Sequence, residues 1–141
     1  MKILLPTDGS DASIASLRNF LPHLAWFAER PELGLLHVHP PLPYARAVAW
    51  AGKDAVHKYY EEESAAVLEA AASALASCGT SIARTMRVGD AAHEIVKYAA
   101  EWNADLIAMG TKGHGALAAV LLGSVAQKVI ATSAMPVLLL R

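Results

Sequence analysis

Apolar and polar positions follow two rhythms along this chain, short apolar runs alternating with stretches whose apolar residues recur every three or four positions. Residues 3 to 5, ILL, run into Pro6 and the turn-rich PTDGSD, the pattern of a buried strand entering a loop. Ser10 or Asp11 then caps a helix whose apolar residues Ile14, Leu17, Phe20, Leu21, Leu24 and Phe27 share one face, and Pro22 kinks that helix or ends it early. LGLLHVH reads as a second buried strand, and PPLPYARAVAWAGK as a proline-broken loop. From Asp54 to Ser77 the pattern predicts a long alanine-rich helix with Gly79 as its C-cap. The alternation then repeats in shorter pieces: SIARTMRV as strand, AAHEIVKYAAEW as a helix capped by Asp90, DLIAMG as strand, a glycine-rich stretch, SVAQKVIATS as helix and PVLLL as the last strand.

Strands that are apolar on both faces and joined through helices predict an open five-stranded parallel α/β sheet, with helices on both faces because right-handed crossovers place them there. In such sheets ligands sit beyond the carboxyl ends of the strands, where the winding direction reverses. Two loops with unusual polar or glycine content leave strands here, PTDGS after the first and GTKGHG after the fourth, and this topology makes them candidate neighbours across that point. A single domain over residues 1–141 is expected, because this length buries one good core and is too short for two.

Charge and composition narrow the function. A formal charge of -1 and the lack of a basic stripe argue against a general nucleic-acid binder. The single cysteine, Cys78, excludes an intramolecular disulfide and a cysteine-based metal cluster, and its place at the end of a helical pattern suits a small core filler. MKILLPTDGS lacks the features of a secretory leader, and no apolar run approaches the ~20 residues of a membrane span. A cytoplasmic protein without membrane insertion is therefore expected. His37 and His39 face one side of a strand but lack a third ligand, so they read as core or rim residues. His23, His57 and His93 read as surface or boundary positions of helices, and Glu61, Glu62 and Glu63 as the solvated face of the long helix. Trp26, Trp50 and Trp102 are scattered and form no base-stacking array.

The chemistry concentrates in GTKGHGALAAVLLGSV, residues 110 to 125. Glycine reaches positive φ and lets the backbone approach a ligand, and successive amides in such a loop converge on an anion. Ser124 opens a helix whose free amides and positive dipole end suit a phosphate. After Asp105 no Asp or Glu occurs, while Lys112, His114, Lys128 and Arg141 do. The P-loop pattern G-x-x-x-x-G-K-S/T is absent. Gly113, Gly115 and Ala118 satisfy a loose G-x-G-x-x-A, but the dinucleotide reading needs an acid ~20 residues later, and none follows. The plain readings stay open: Gly110 and Gly113 as turn glycines, and Asp8 as an Asx-turn or helix-cap residue.

Gly110, Gly113, Gly123 and Ser124 also fit G-x2-G-x9-G-S/T, and here the chain resembles the ATP-binding universal stress proteins. KILLPTDGS, LLHVH, GDAAHEIVKYAAEWNADLIAMGTKGHG and LLGSVAQKVIATSAMPVLLL resemble that family in order and spacing, which leaves only residues 40 to 60 without a distinctive counterpart. The resemblance implies a Rossmann-like, adenine nucleotide alpha hydrolase-like sheet in the strand order 3-2-1-4-5. It implies ATP, or ADP or AMP, as ligand, with Mg2+ accompanying the nucleotide.

Carried onto this chain, the resemblance implies that Asp8 contacts the ribose and, through the nucleotide, the metal, with Pro6 and Thr7 lining the site. Val38 would bind adenine through its backbone, Gly110 would lie against the ribose, and Gly113, His114, Gly115, Gly123, Ser124 and Val125 would surround the phosphates. The family often carries arginine where His114 stands; histidine is mostly neutral near pH 7 unless an anion raises its pKa, which implies weaker and more pH-dependent phosphate binding. A homodimer paired through the C-terminal strand is implied as well.

Phosphoryl transfer wants a carboxylate-held metal, charge stabilisation and an oriented nucleophile. Asp8 can serve the first and Lys112 or His114 the second, but no evident residue orients water. The expectation is a nucleotide-dependent stress-response or regulatory protein with at most slow ATP hydrolysis, read out by a regulatory protein partner that the sequence does not identify. Two other readings stand beside it, an interaction module of the same fold without nucleotide and an adenylyl-transferring enzyme. The HIGH-like or SGGxDS-like signatures expected of the latter are missing.

Overall fold

The computed structural model describes residues 1–113 and 122–141 of the chain. Its strands are β1 (Lys2–Pro6), β2 (Glu32–His39), β3 (Ile82–Val88), β4 (Leu106–Gly110) and β5 (Val137–Leu140), all paired in parallel. They form one five-stranded sheet in the order β3-β2-β1-β4-β5, a Rossmann-like arrangement and the order implied by the resemblance. The helices are α1 (Asp11–Phe20), α2 (Tyr44–Ala51), α3 (Lys53–Ala74), α4 (Ala91–Glu101) and α5 (Ser124–Thr132). None of the described helices is long and apolar enough to cross a membrane.

Successive residues of a strand point to opposite faces, so a strand covered on both sides must be apolar at every position. Ile3, Leu4 and Leu5 are each 0% exposed. Ile3 and Leu5 join Leu33 and Leu35 of β2 against Leu17 and Phe20 of α1 and Leu68 and Ala71 of α3. Leu4 joins Leu36, Ile107 and Met109 against Ala92, Ile95 and Ala99 of α4 and Ala126 and Val129 of α5. Burying a side chain of this size stabilises by roughly 1.5–3 kcal/mol relative to exposure, so β1 anchors both layers at once.

The helix ends follow local chemistry. Of the two candidate caps of α1, Ser10 takes the role, its Oγ accepting the Ser13 N–H at 3.2 Å. Asp90 caps α4 through Oδ1, which accepts the His93 N–H at 3.0 Å, and that bond holds its carboxyl below the ordinary carboxylate range. Pro22 ends α1 early, and the chain tightens into a 3-10 turn over Leu21–Trp26. The long helix stops at Ala74, short of Ser77, and a 3-10 turn over Ala76–Cys78 leads to Gly79 in the left-handed conformation, φ 68°. One expectation is corrected: the segment read as a proline-broken loop contains α2. Its prolines all precede Tyr44, the alanine-rich run behind them favours a helix, and Gly52 at φ 85° separates α2 from α3.

Gly34 of β2 lies directly under Trp102, where a Cβ would stand 2.9 Å from the ring. The ring is held in place, stacked on Tyr98 with centroids 6.5 Å apart and covered by Lys2 Nζ at 5.1 Å. Gly34→Ala is therefore expected to lower stability by about 1–3 kcal/mol through overpacking. Urea unfolding reads this directly; wild-type stability in the variant would mean that the indole moves aside freely.

Candidate functional site

From β1 the chain crosses by α1 to β2 on one side, and from β4 it crosses to β5 on the other, so the winding reverses between β1 and β4. Two connections heading in opposite directions leave a crevice over the strand ends. A cavity of about 340 Å³ opens there, and Pro6, Thr7, Asp8, Val38, Gly110, Gly113, Gly123, Ser124 and Val125 all line it. His114 and Gly115 lie outside the described residues.

The cavity has two chemically distinct parts. Leu36, Val38, Ala91, Ile95, Met109 and Ala126 supply apolar wall, and Thr7, Asp8, Ser13, Lys112 and Ser124 supply polar groups. Of these, Leu36, Ser13, Ala91, Ile95, Met109 and Ala126 were not singled out by sequence. Leu36 carried a readable signal, since period-2 alternation puts it on the same face as Val38; the helical residues carried none, because their placement depends on how α1, α4 and α5 pack.

Backbone parity shapes the apolar end. Leu36 O accepts from Thr7 N–H at 2.9 Å on the β1 side, and His39 O accepts from Gly89 N–H at 3.0 Å on the β3 side. Val38 shares the parity of Leu36, so its N–H and C=O turn toward the β1 side, where β1 has ended at Pro6.

The loop after β1 is cross-tied. Gly9 turns the chain at φ 78°. Its N–H donates to Thr7 Oγ1 at 3.2 Å, and that oxygen shares a hydrogen bond with Ser13 Oγ at 2.9 Å. Asp8 Oδ1 accepts the Ser10 N–H at 3.0 Å and the Ser10 hydroxyl at 2.7 Å. This is an Asx-turn made by a residue that also lines the cavity, so the two readings of Asp8 are compatible.

Across from it, a Cβ on Gly113 would run into Asp8 Oδ2, and one on Gly110 would meet Ser16 Oγ at 3.0 Å. The glycines with positive φ among the described residues are Gly9, Gly52, Gly79 and Gly89. Gly110 and Gly113 therefore act through the missing side chain and not through positive φ, a correction to the expectation that positive φ matters here, whereas a Cβ on Gly123 would make only an ordinary contact, 3.4 Å from Thr111 O. The N-cap of α5 is Gly123, with no side-chain hydrogen bond to the first turn, and Ser124 is the first helical residue. A glycine cap offers the leading amides no side-chain acceptor and leaves that end suited to an external anion.

Asp8 is the one acidic residue lining the cavity among the described residues, and Lys112 the one basic residue. No group of three or more His, Cys, Asp or Glu among the described residues is arranged to hold a metal ion. His37 is buried and His39 half-buried, the core and rim positions expected.

Known proteins agree with this architecture. The model of the universal stress protein family matches residues 1–141. Universal stress protein MJ0531 of Methanocaldococcus jannaschii is 33% identical over 140 residues, covering 99% of this chain and 81% of that protein. Among solved structures, the protein MJ0577 is 30% identical with a TM-score of 0.80, covering 99% of this chain and 94% of that one. A universal stress protein solved in complex with cAMP is 26% identical with a TM-score of 0.67, over 99% of this chain and 94% of its own. With its whole length matched by the family model and a relative one-third identical across nearly all of it, the chain belongs to the universal stress protein family.

Proposed function

We propose that the chain binds an adenine nucleotide, ATP or in its place ADP or AMP, between the β1 and β4 loops and acts as a nucleotide-dependent stress-response or regulatory protein. The observation that carries this is one cavity whose lining combines an apolar set, Leu36, Val38, Ile95 and Met109, with the glycines and polar groups of the loops after β1 and β4. The purine is assigned to that apolar lining, where the Val38 N–H and C=O are assigned the donor and acceptor roles toward an adenine edge. Asp8 and Gly110 are assigned to the ribose. Gly113, Gly123, Ser124 and Val125 are assigned to the phosphates, and the family resemblance adds His114 and Gly115. The absence of side chains at Gly113 and Gly110 supports the assignment, since a Cβ there would run into Asp8 Oδ2 or press on Ser16 Oγ. Likeness to a protein solved with cAMP supports the adenine-nucleotide class.

Mg2+ would arrive with the nucleotide and neutralise phosphate charge, Asp8 being the lining carboxylate able to reach it through the nucleotide. Lys112 adds positive charge at the same mouth. Asp8 Oδ1 is already engaged by Ser10, which supports at most slow hydrolysis. Binding that outlasts hydrolysis suits a protein whose occupancy is read by a regulatory partner, in a cytoplasmic setting.

β5 forms an edge of the sheet, with Leu139 38% exposed and Val137 and Leu138 half-buried. An apolar edge left unpaired invites association, and a second copy of β5 satisfies it, giving a homodimer.

Calorimetry with Mg-ATP is expected to show saturable binding near one nucleotide per chain, lost in Gly113→Val; absence of heat and of copurified nucleotide would favour the interaction-module reading instead. Turnover of Mg-ATP is expected to stay well under about one per second, the low end of ordinary enzymes, and a rate of several per second would overturn the regulatory reading. In light scattering Leu139→Lys is expected to run as a monomer, whereas an unchanged dimer would locate the interface elsewhere.

A further inference from the structure

His37 is 6% exposed and lies on the face of β2 opposite to Val38, so it is no part of the cavity wall. A buried imidazole in that position loses its hydration, and an aliphatic side chain would fill the layer without that cost. Its ring makes one bond that bears on the site: Nδ1 stands 2.9 Å from the carbonyl oxygen of Thr7. A carbonyl only accepts, so Nδ1 carries the hydrogen, which fixes the tautomer.

We propose that His37 is a positioning residue for the ribose end of the nucleotide site, holding the Thr7–Asp8 peptide so that the Asp8 carboxylate stands where the sugar hydroxyls need it. This deepens the function proposed above and rests on its assignment of Asp8 to the ribose. The peptide group is planar, so a bond to the Thr7 oxygen orients the Asp8 nitrogen on the same plane and, with it, the direction in which the Asp8 side chain leaves. Thr7 is already one residue beyond β1, tied by its own N–H to Leu36 O at 2.9 Å. Past Asp8 the chain turns at Gly9, φ 78°.

From there the ties run through side chains, from Asp8 Oδ1 to Ser10 at 2.7 Å and 3.0 Å and from Ser10 Oγ to the Ser13 N–H at 3.2 Å. Those contacts orient the carboxylate relative to α1. The His37 bond orients the same residue relative to the sheet, whose β4 side carries Gly113 against Asp8 Oδ2. Without it the Thr7–Asp8 peptide loses the bond on its oxygen, and a carboxylate displaced by a fraction of an ångström loses a hydrogen bond whose geometry is steep in distance and angle.

The test compares ATP with 2′,3′-dideoxy-ATP, which lacks the hydroxyls assigned to Asp8, by calorimetry on the full chain. Wild type is expected to prefer ATP by about tenfold or more, the contribution of a hydrogen bond to a charged group. In His37→Leu the affinity for ATP is expected to fall about tenfold while that for the dideoxy nucleotide changes by less than roughly twofold, so that the preference collapses. His37→Asn, whose amide nitrogen stands near the Nδ1 position, is expected to restore most of it. A merely structural histidine would lower both affinities together and would show no rescue of the ratio. If the leucine variant does not fold, His37→Met removes the donor with a more adaptable side chain. A preference that survives removal of the ring N–H overturns the inference. A wild-type protein that binds both nucleotides equally overturns it too while leaving nucleotide binding intact, and one that binds neither overturns the proposed function beneath it.

Discussion

β1 is paired on both edges and covered on both faces, and the rest of the molecule is arranged around that constraint. The enclosed part of such a strand must be apolar, and Ile3, Leu4 and Leu5 meet that demand by sending alternate side chains into two separate cores. Because β1 occupies the middle of the order β3-β2-β1-β4-β5, the chain leaves it toward one edge and later departs from β4 toward the other. The crevice follows from that divergence and needs no residue of its own to create it.

What the crevice can hold is decided by small absences. Gly113 makes room beside the Asp8 carboxylate, Gly110 beside Ser16, and Gly123 leaves the first turn of α5 without a side-chain cap. The apolar part of the wall is built from β2, β4, α4 and α5. One small cavity is thus lined by both apolar and polar groups.

Much of this was legible in order. Strands showed as apolar runs and helices as periodic stretches, and Asp90 showed its role because capping depends on neighbours a few residues away. Where local signals competed, the structure chose Ser10 over Asp11 for α1. The miss at α2 came from reading prolines as breakers of everything near them, although they all lie before the helix they precede. Nine of the eleven residues named for the site came together around the cavity, and the other two fall outside the described residues.

Residues far apart in the chain were the ones left unread. Ile95, Met109 and Ala126 reach the cavity only through the packing of α4, β4 and α5, and Ser13 only because α1 starts beside the loop it caps. His37 looked like an ordinary core histidine, and its bond to a carbonyl thirty residues away belongs to the register of β1 against β2. The sequence by itself determined what is local: the elements, most of their ends, the two unusual loops and the family pattern, since hydrophobic period and capping act over a few residues. Only the tertiary structure decided which walls the loops face, which carbonyl holds His37 and how glycine works at each position, because those depend on distances across the sheet that no short-range pattern encodes.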